Sequence, residues 1–124
     1  MLEYKGVLYT TVEHAYHAQR YIDPVIVKAI TETRSAFSAW ELSQTYKSQQ
    51  LPDWDERKVG VMEELFREKL AQHKDVREAL MRSESEEIIK YQEDPFWGVK
   101  QNGEGRNEMG KLWMKLREEL RNTA

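Results

Sequence analysis

Glu13, His14, Tyr16, His17 and Arg20 lie close together in the run Tyr9-Thr10-Thr11-Val12-Glu13-His14-Ala15-Tyr16-His17-Ala18-Gln19-Arg20-Tyr21. In helical register Glu13, Tyr16, His17 and Arg20 share one face, ionisable and aromatic rather than apolar. Val12, Ala15, Gln19 and Ile22 form a second stripe, and His14, Ala18 and Tyr21 a third. No stripe is a plain Lys/Glu water face, so the helix is expected to be enclosed on most sides. Glu and His inside a protein need partners, and that need is how perturbed, reactive groups arise. A plainer use of the same residues stands beside this one. Thr10 and Glu13 have the spacing of a capping box, and both histidines suit hydrogen-bonded core positions.

Three further places hold residues able to do chemistry. In Glu93-Asp94-Pro95-Phe96-Trp97-Gly98 the proline pushes Asp94 off the helical region, leaving a carboxylate on a turn beside two aromatics. This is either a surface turn with a core anchor or an acid beside a binding wall. Gly103-Glu104-Gly105-Arg106-Asn107 runs into the last helix. It reads as an ordinary glycine turn with Asn107 as N-cap, or as an anion cradle of free backbone N–H groups. Trp54 opens the longest helix ahead of its apolar stripe, so it is either edge packing or a pocket residue. His14, His17 and His73 are the only histidines, and no spacing marks a metal site. No Walker, Rossmann or Gly-x-Ser-x-Gly pattern occurs.

The elements that must position these residues follow from caps and periodicity. The 124 residues suffice for one core, and 40% hydrophobic with 33% charged residues suits a globular protein with a charged surface. A net charge of −3 gives no footprint for an extended nucleic-acid surface. The absence of cysteine excludes disulfides and a thiolate nucleophile and agrees with a cytoplasmic setting. No apolar run approaches a membrane span, and no signal-peptide pattern follows Met1. Leu2 to Tyr9 alternates around Gly6, the pattern of a small hairpin. The central helix is expected from about Thr11 to Tyr21. Asp23-Pro24 starts a second, with Val25, Ile26, Ala29 and Ile30 inward, and Ser35 a third, with Phe37, Trp40 and Leu42 inward. Asp53 with Glu56 caps the longest helix, whose stripe is Val59, Met62, Leu65, Phe66 and Leu70. Asp75 caps a short helix burying Val76, Ala79 and Leu80, Ile88-Ile89 is extended, and the final helix buries Met109, Leu112, Trp113, Leu116 and Leu120. The fold class expected is mainly α: a multihelical single domain over residues 1–124, with room for one small N-terminal β-hairpin.

Four separated motifs, in register from Tyr9 to Leu120, resemble the NADAR (YbiA-like) family of N-glycosidases. They are Thr11-x-Glu13-His14-x-Tyr16-x-Ala18-Gln19-Arg20-Tyr21, Trp54-x-x-x-Lys58-x-x-Val61-Met62, Asp94-x-Phe96-Trp97-Gly98, and Gly103-x-Gly105-Arg106-Asn107-x-Met109-Gly110 continuing to Arg117. The family often has Gly-Arg near Ser43-Gln44, and usually a strand segment like Phe-Ser-Asn-Phe that would precede Met1 here. The resemblance implies hydrolysis of an N-glycosidic bond to a ribose, with no cofactor and no metal. The small-molecule substrate it implies is a phosphoribosylamino-pyrimidine of riboflavin synthesis or an ADP-ribosyl compound. It implies catalytic roles for Glu13, Asp94 and Trp54, one carboxylate stabilising ribose charge and the other activating water. It implies substrate binding by Trp97, Asn107, Gly103, Gly105, His14 and Arg20. The alternatives are a non-catalytic ADP-ribose or nucleotide-binding module of the same fold and, more remotely, a helical adaptor. No membrane partner is expected.

Overall fold

A computed structural model of the protein describes residues 1–123. Contacts divide the chain into two compact units, Met1–Gln72 and the part from His73 onward. The architecture is mainly helical. Strands β1 (Leu2–Tyr4) and β2 (Val7–Tyr9) are followed by α1 (Val12–Ala18), α2 (Pro24–Thr31), α3 (Ala36–Thr45), α4 (Trp54–Gln72), α5 (Lys74–Arg82) and α6 (Glu108–Thr123), with one 3-10 turn at Lys47–Gln49.

In the first unit β1 and β2 pair antiparallel, with Leu2 opposite Tyr9 and Tyr4 opposite Val7. Lys5 and Gly6 both take positive φ, as a two-residue turn between twisted strands requires. The outer edge of β1 is covered rather than left open: Gln72 Nε2 donates to the Glu3 carbonyl at 2.7 Å and Gln72 Oε1 accepts from Glu3 N–H at 2.8 Å. The Tyr4 hydroxyl donates to Glu64 of α4, and burial followed by that carboxylate raises its pKa above the ordinary phenol value.

Helix α1 packs against α2, α3, α4 and both strands. At seven residues it is too short to persist alone, so packing sustains it. Val12 and every residue from His14 to Ala18 are buried, as the absence of a water face implies. The helix ends at Ala18, three residues earlier than its pattern suggests, and a turn carries Gln19 and Arg20 onward. Asp23 and Ser35 cap α2 and α3 through their side chains. Their inward faces differ from expectation. Ile26 and Ile30 are buried on α2, whereas Val25 is 75% exposed. On α3 the small residues Ala39 and Ser43 face inward, while Phe37 and Trp40 are 65% and 45% exposed and stack on each other. Helix α3 packs on α1 and α2, and small residues at its buried positions suit a close helix approach. The α4 stripe buries Met62, Leu65, Phe66 and Leu70, with Val59 half-buried.

In the second unit α5 contacts α6. Asp75 lies inside the first turn of α5, and the cap position is His73, which makes no side-chain cap bond. Leu80 is buried, Val76 half-buried and Ala79 exposed. Ile88-Ile89 forms no strand; the extended element is a single parallel bridge, Tyr91 to Val99. Met109, Leu112 and Leu116 are buried on α6, and Trp113 and Leu120 are half-buried. Arg117 is buried because its guanidinium donates to Ser83 Oγ and the Glu86 carbonyl, each at 2.8 Å.

Two helical glycines separate close approach from simple flexibility. A Cβ on Gly110 would lie 2.2 Å from the Ile88 carbonyl oxygen and 2.5 Å from the Asn107 side chain, whereas one on Gly60 meets nothing within 4 Å. Gly110→Ala is therefore expected to destabilise by ~1–3 kcal/mol through overpacking. Gly60→Ala should stabilise by ~0.5–1 kcal/mol, because Ala restricts the unfolded chain. Denaturant unfolding of both variants checks the pair, and equal shifts would remove the close-packing explanation.

Candidate functional site

The candidates of the first unit sit on α1, on the turn after it and at the start of α4. Thr11, not Thr10, is the N-cap of α1: its Oγ1 accepts from His14 N–H at 3.2 Å. The capping box expected from Thr10 and Glu13 is thus out of register, and Glu13 is released from it. Glu13 is half-buried and has no hydrogen-bond or ion-pair partner among the described residues. His14 is the opposite case. It is fully buried, its Nε2 lies 3.0 Å from the Thr33 carbonyl and its Nδ1 2.7 Å from Thr11 Oγ1. A carbonyl only accepts, so Nε2 carries the proton and Nδ1 accepts from the threonine hydroxyl. Both ring nitrogens of His14 are therefore engaged within the fold.

Trp54 is 2% exposed and packs on Tyr16, with ring centroids 5.2 Å apart. The Arg20 guanidinium lies over both rings, 5.5 Å from Tyr16 and 5.8 Å from Trp54. Tyr16 in turn meets His17 edge-on at 5.1 Å. His17, which shares the Glu13 face, escaped selection as a site residue although that register placed it there. Burial, then electrostatic repulsion from Arg20 and from the neighbouring His14 position, lowers its pKa to about 3, so it is neutral at pH 7.

The candidates of the second unit gather at the start of α6. Asp94 Oδ1 accepts from Phe96 N–H at 2.8 Å and Trp97 N–H at 3.4 Å, which fixes an exposed carboxylate on its turn. Trp97 is buried beside Phe96. The start of α6 is not an open anion cradle. The N–H groups of Arg106, Asn107, Glu108 and Met109 donate to the carbonyls of Pro95, Gly98, Phe96 and Trp97 respectively. Gly103 N–H donates to the Lys100 carbonyl and Glu104 N–H to Asn102 Oδ1. Asn107 is no ordinary N-cap either. At φ +53° its Oδ1 accepts from Lys90 N–H and its Nδ2 donates to the Ile88 carbonyl, both at 2.9 Å. Gly98 and Gly105 permit this knot, since a Cβ on Gly105 would lie 2.2 Å from the Gly98 carbonyl oxygen. Gly103, Gly105, Arg106 and Asn107 line an open hollow of about 650 Å³ with Lys100 and Lys111, and neither Asp94 nor Trp97 lines it. Arg106 is ion-paired to Glu108 at 3.0 Å.

Among the described residues no group of three or more His, Asp or Glu side chains converges as a metal site, and no helix is long and apolar enough to cross a membrane.

The family model described as NADAR domain matches residues 1–121. A protein named N-glycosidase from Nostoc punctiforme is 35% identical over 92% of this chain and 76% of its own length. A riboflavin biosynthesis protein of Vibrio vulnificus is 33% identical over 96% of this chain, which spans only 33% of that longer protein. The NMR structure of the E. coli protein YbiA superposes with a TM-score of 0.87 at 27% identity, covering 98% of this chain and 73% of that one.

His17 provides a test of how closed its surroundings are. Unfolded, its imidazole takes a proton below pH ~6.5, whereas folded it stays neutral to about 3. The unfolded state therefore binds more protons in this window, and stability should fall as pH drops from ~6.5 toward ~3, by at most ~1.4 kcal/mol per pH unit. Chemical denaturation across this range is expected to show a shallower pH slope for His17→Gln than for the parent. Identical slopes would mean the imidazole is open to water.

Proposed function

This chain belongs to the NADAR domain family, and from that premise we propose that it is a hydrolase of N-glycosyl bonds acting on a ribosyl substrate. The observation that carries the reading is Glu13: a half-buried carboxylate on an otherwise buried helix, freed from capping by Thr11 and engaged by no described residue. A carboxylate kept without structural duty in such a setting is available for chemistry.

Hydrolysis breaks the bond from ribose C1′ to the base nitrogen and forms one from water oxygen to C1′, while the leaving nitrogen takes a proton. Positive charge builds on the ribose ring as the bond breaks, as in other glycoside cleavage. Glu13 is proposed as a carboxylate that opposes that charge or accepts a proton from the attacking water, and Asp94 is carried as a second candidate by the family resemblance alone. Asp94 suits either function, because Oδ1 is pinned by two backbone N–H groups and Oδ2 is left uncommitted. Trp97, buried beside Phe96, backs the Asp94 turn, and the Trp54 indole keeps an unpaired N–H available to substrate. His14 acts by holding α1 in register, since both of its nitrogens are engaged. Asn107, Gly103 and Gly105 shape the loop on which Asp94 rests.

The finer substrate proposal is a phosphoribosylamino-pyrimidine or an ADP-ribosylated base. Two relatives named riboflavin biosynthesis proteins, from Vibrio vulnificus and, at 27% identity, maize, favour the pyrimidine. The test is incubation with each substrate while following release of ribose 5-phosphate or ADP-ribose. Release from either supports the hydrolase; binding by calorimetry without release of any product would support a binding module instead. In the active assay Glu13→Gln should lower turnover by roughly 10² or more at unchanged melting temperature. Unchanged turnover would remove Glu13 from the mechanism.

A further inference from the structure

Five buried side-chain atoms of the first unit lack a hydrogen-bond partner, and they fall on four residues: His17 Nδ1, Arg20 Nε and Nη1, Gln50 Oε1 and Trp54 Nε1. Such atoms are rare in a folded protein, because each forfeits its hydration without compensation. Here they are neighbours. Arg20 lies over the Trp54 ring, Tyr16 bridges Trp54 to His17, and Leu51 N–H donates to the Arg20 carbonyl at 2.8 Å, which brings the Gln50 segment alongside.

The chemistry of the atoms says what is missing. Arg20 forms no ion pair with a carboxylate among the described residues; its neighbours are the faces of Tyr16 and Trp54 and the Tyr21 hydroxyl, all uncharged. Its guanidinium and the Trp54 indole can only donate, and neutral His17 can present Nδ1–H. We infer that His17, Arg20 and Trp54 form an oxyanion subsite that takes the phosphate of a phosphorylated ribose, with Gln50 accepting from a ribose hydroxyl. Fork-shaped donation from Arg to a phosphate is the strongest pairing open to these groups. Arg20 is only half-buried, so its side chain can turn to meet an entering ligand. At the start of α6 the backbone N–H groups of Arg106 to Met109 are already bonded to the loop carbonyls. The inference rests on the ribosyl reading above and specifies where that substrate's phosphate goes.

The test uses the whole chain labelled with 15N and titrated with ribose 5-phosphate, ribose and inorganic phosphate, following the Trp54 indole N–H and Arg20 Nε–H resonances. Ribose 5-phosphate and phosphate should move both resonances, and ribose alone should move neither. Arg20→Gln should weaken ribose 5-phosphate binding on the order of tenfold or more, the scale of a charge-assisted hydrogen bond. Should Arg20→Gln fold poorly, Trp54→Phe keeps the ring, removes only the N–H donor and should still weaken binding several-fold. Equal response to ribose, no response at all, or full affinity in the folded variants would overturn the subsite. A chain that binds ribose 5-phosphate here but releases nothing from ribosyl substrates would keep the subsite and remove the hydrolase. Hydrolysis with no phosphate response would do the reverse.

Discussion

Burying a short helix on nearly every side obliges each of its polar groups to find a partner inside the protein or to be kept for something that arrives later. Helix α1 is under that constraint, and its polar groups divide accordingly. Thr11 caps the helix and engages His14, and His14 reaches on to Thr33 beyond α2. Gln19 donates to the Tyr9 hydroxyl and the Ala15 carbonyl, and Tyr21 donates to the Ser43 carbonyl of α3 at 2.7 Å. These bonds tie α1 to the hairpin, to α3 and to the segment after α2. What remains is Glu13 together with the unpaired atoms of His17 and Arg20. Structural and available groups thus alternate along α1 and the turn that follows it, and the fixed ones hold the others in place.

The second unit shows a different economy. Its glycines let backbone approach backbone, the Pro95–Gly98 carbonyls fill the start of α6, and Asn107 ties the segment at Ile88 and Lys90 to that knot. The pattern Gly-x-Gly-Arg-Asn therefore owes its composition to packing: a left-handed backbone at Asn107 and room for a carbonyl beside Gly105. Its consequence for function is indirect. A rigid knot holds the Asp94 turn, whose carboxylate faces outward with one oxygen fixed.

Much of this was legible in the sequence where the signal is local. Asp23 with Pro24 and Ser35 mark the starts of α2 and α3, and the period of Met62, Leu65, Phe66 and Leu70 marks the core of α4. Local signals also mislead by small steps. Thr10 and Thr11 are adjacent and chemically alike, so the cap register is set by where the chain leaves β2 rather than by residue type. Asp75 fits a first helical turn as well as a cap. Phe37 and Trp40 read as core because size and hydrophobicity predict burial, yet the approach of α3 to α1 selects Ala39 and Ser43. The unpaired set of His17, Arg20, Gln50 and Trp54 depends on which atoms the fold leaves without partners, which no spacing rule reports.

On the proposed reading, bond breaking depends on Glu13, the carboxylate that α1 holds without a structural partner. Chemical rescue measures this directly: ribosyl release by Glu13→Ala is followed with and without added formate. Formate should raise turnover of Glu13→Ala and leave the parent unchanged, because it returns a carboxylate to the vacated position. No rescue in a variant that keeps its melting temperature would contradict a catalytic Glu13.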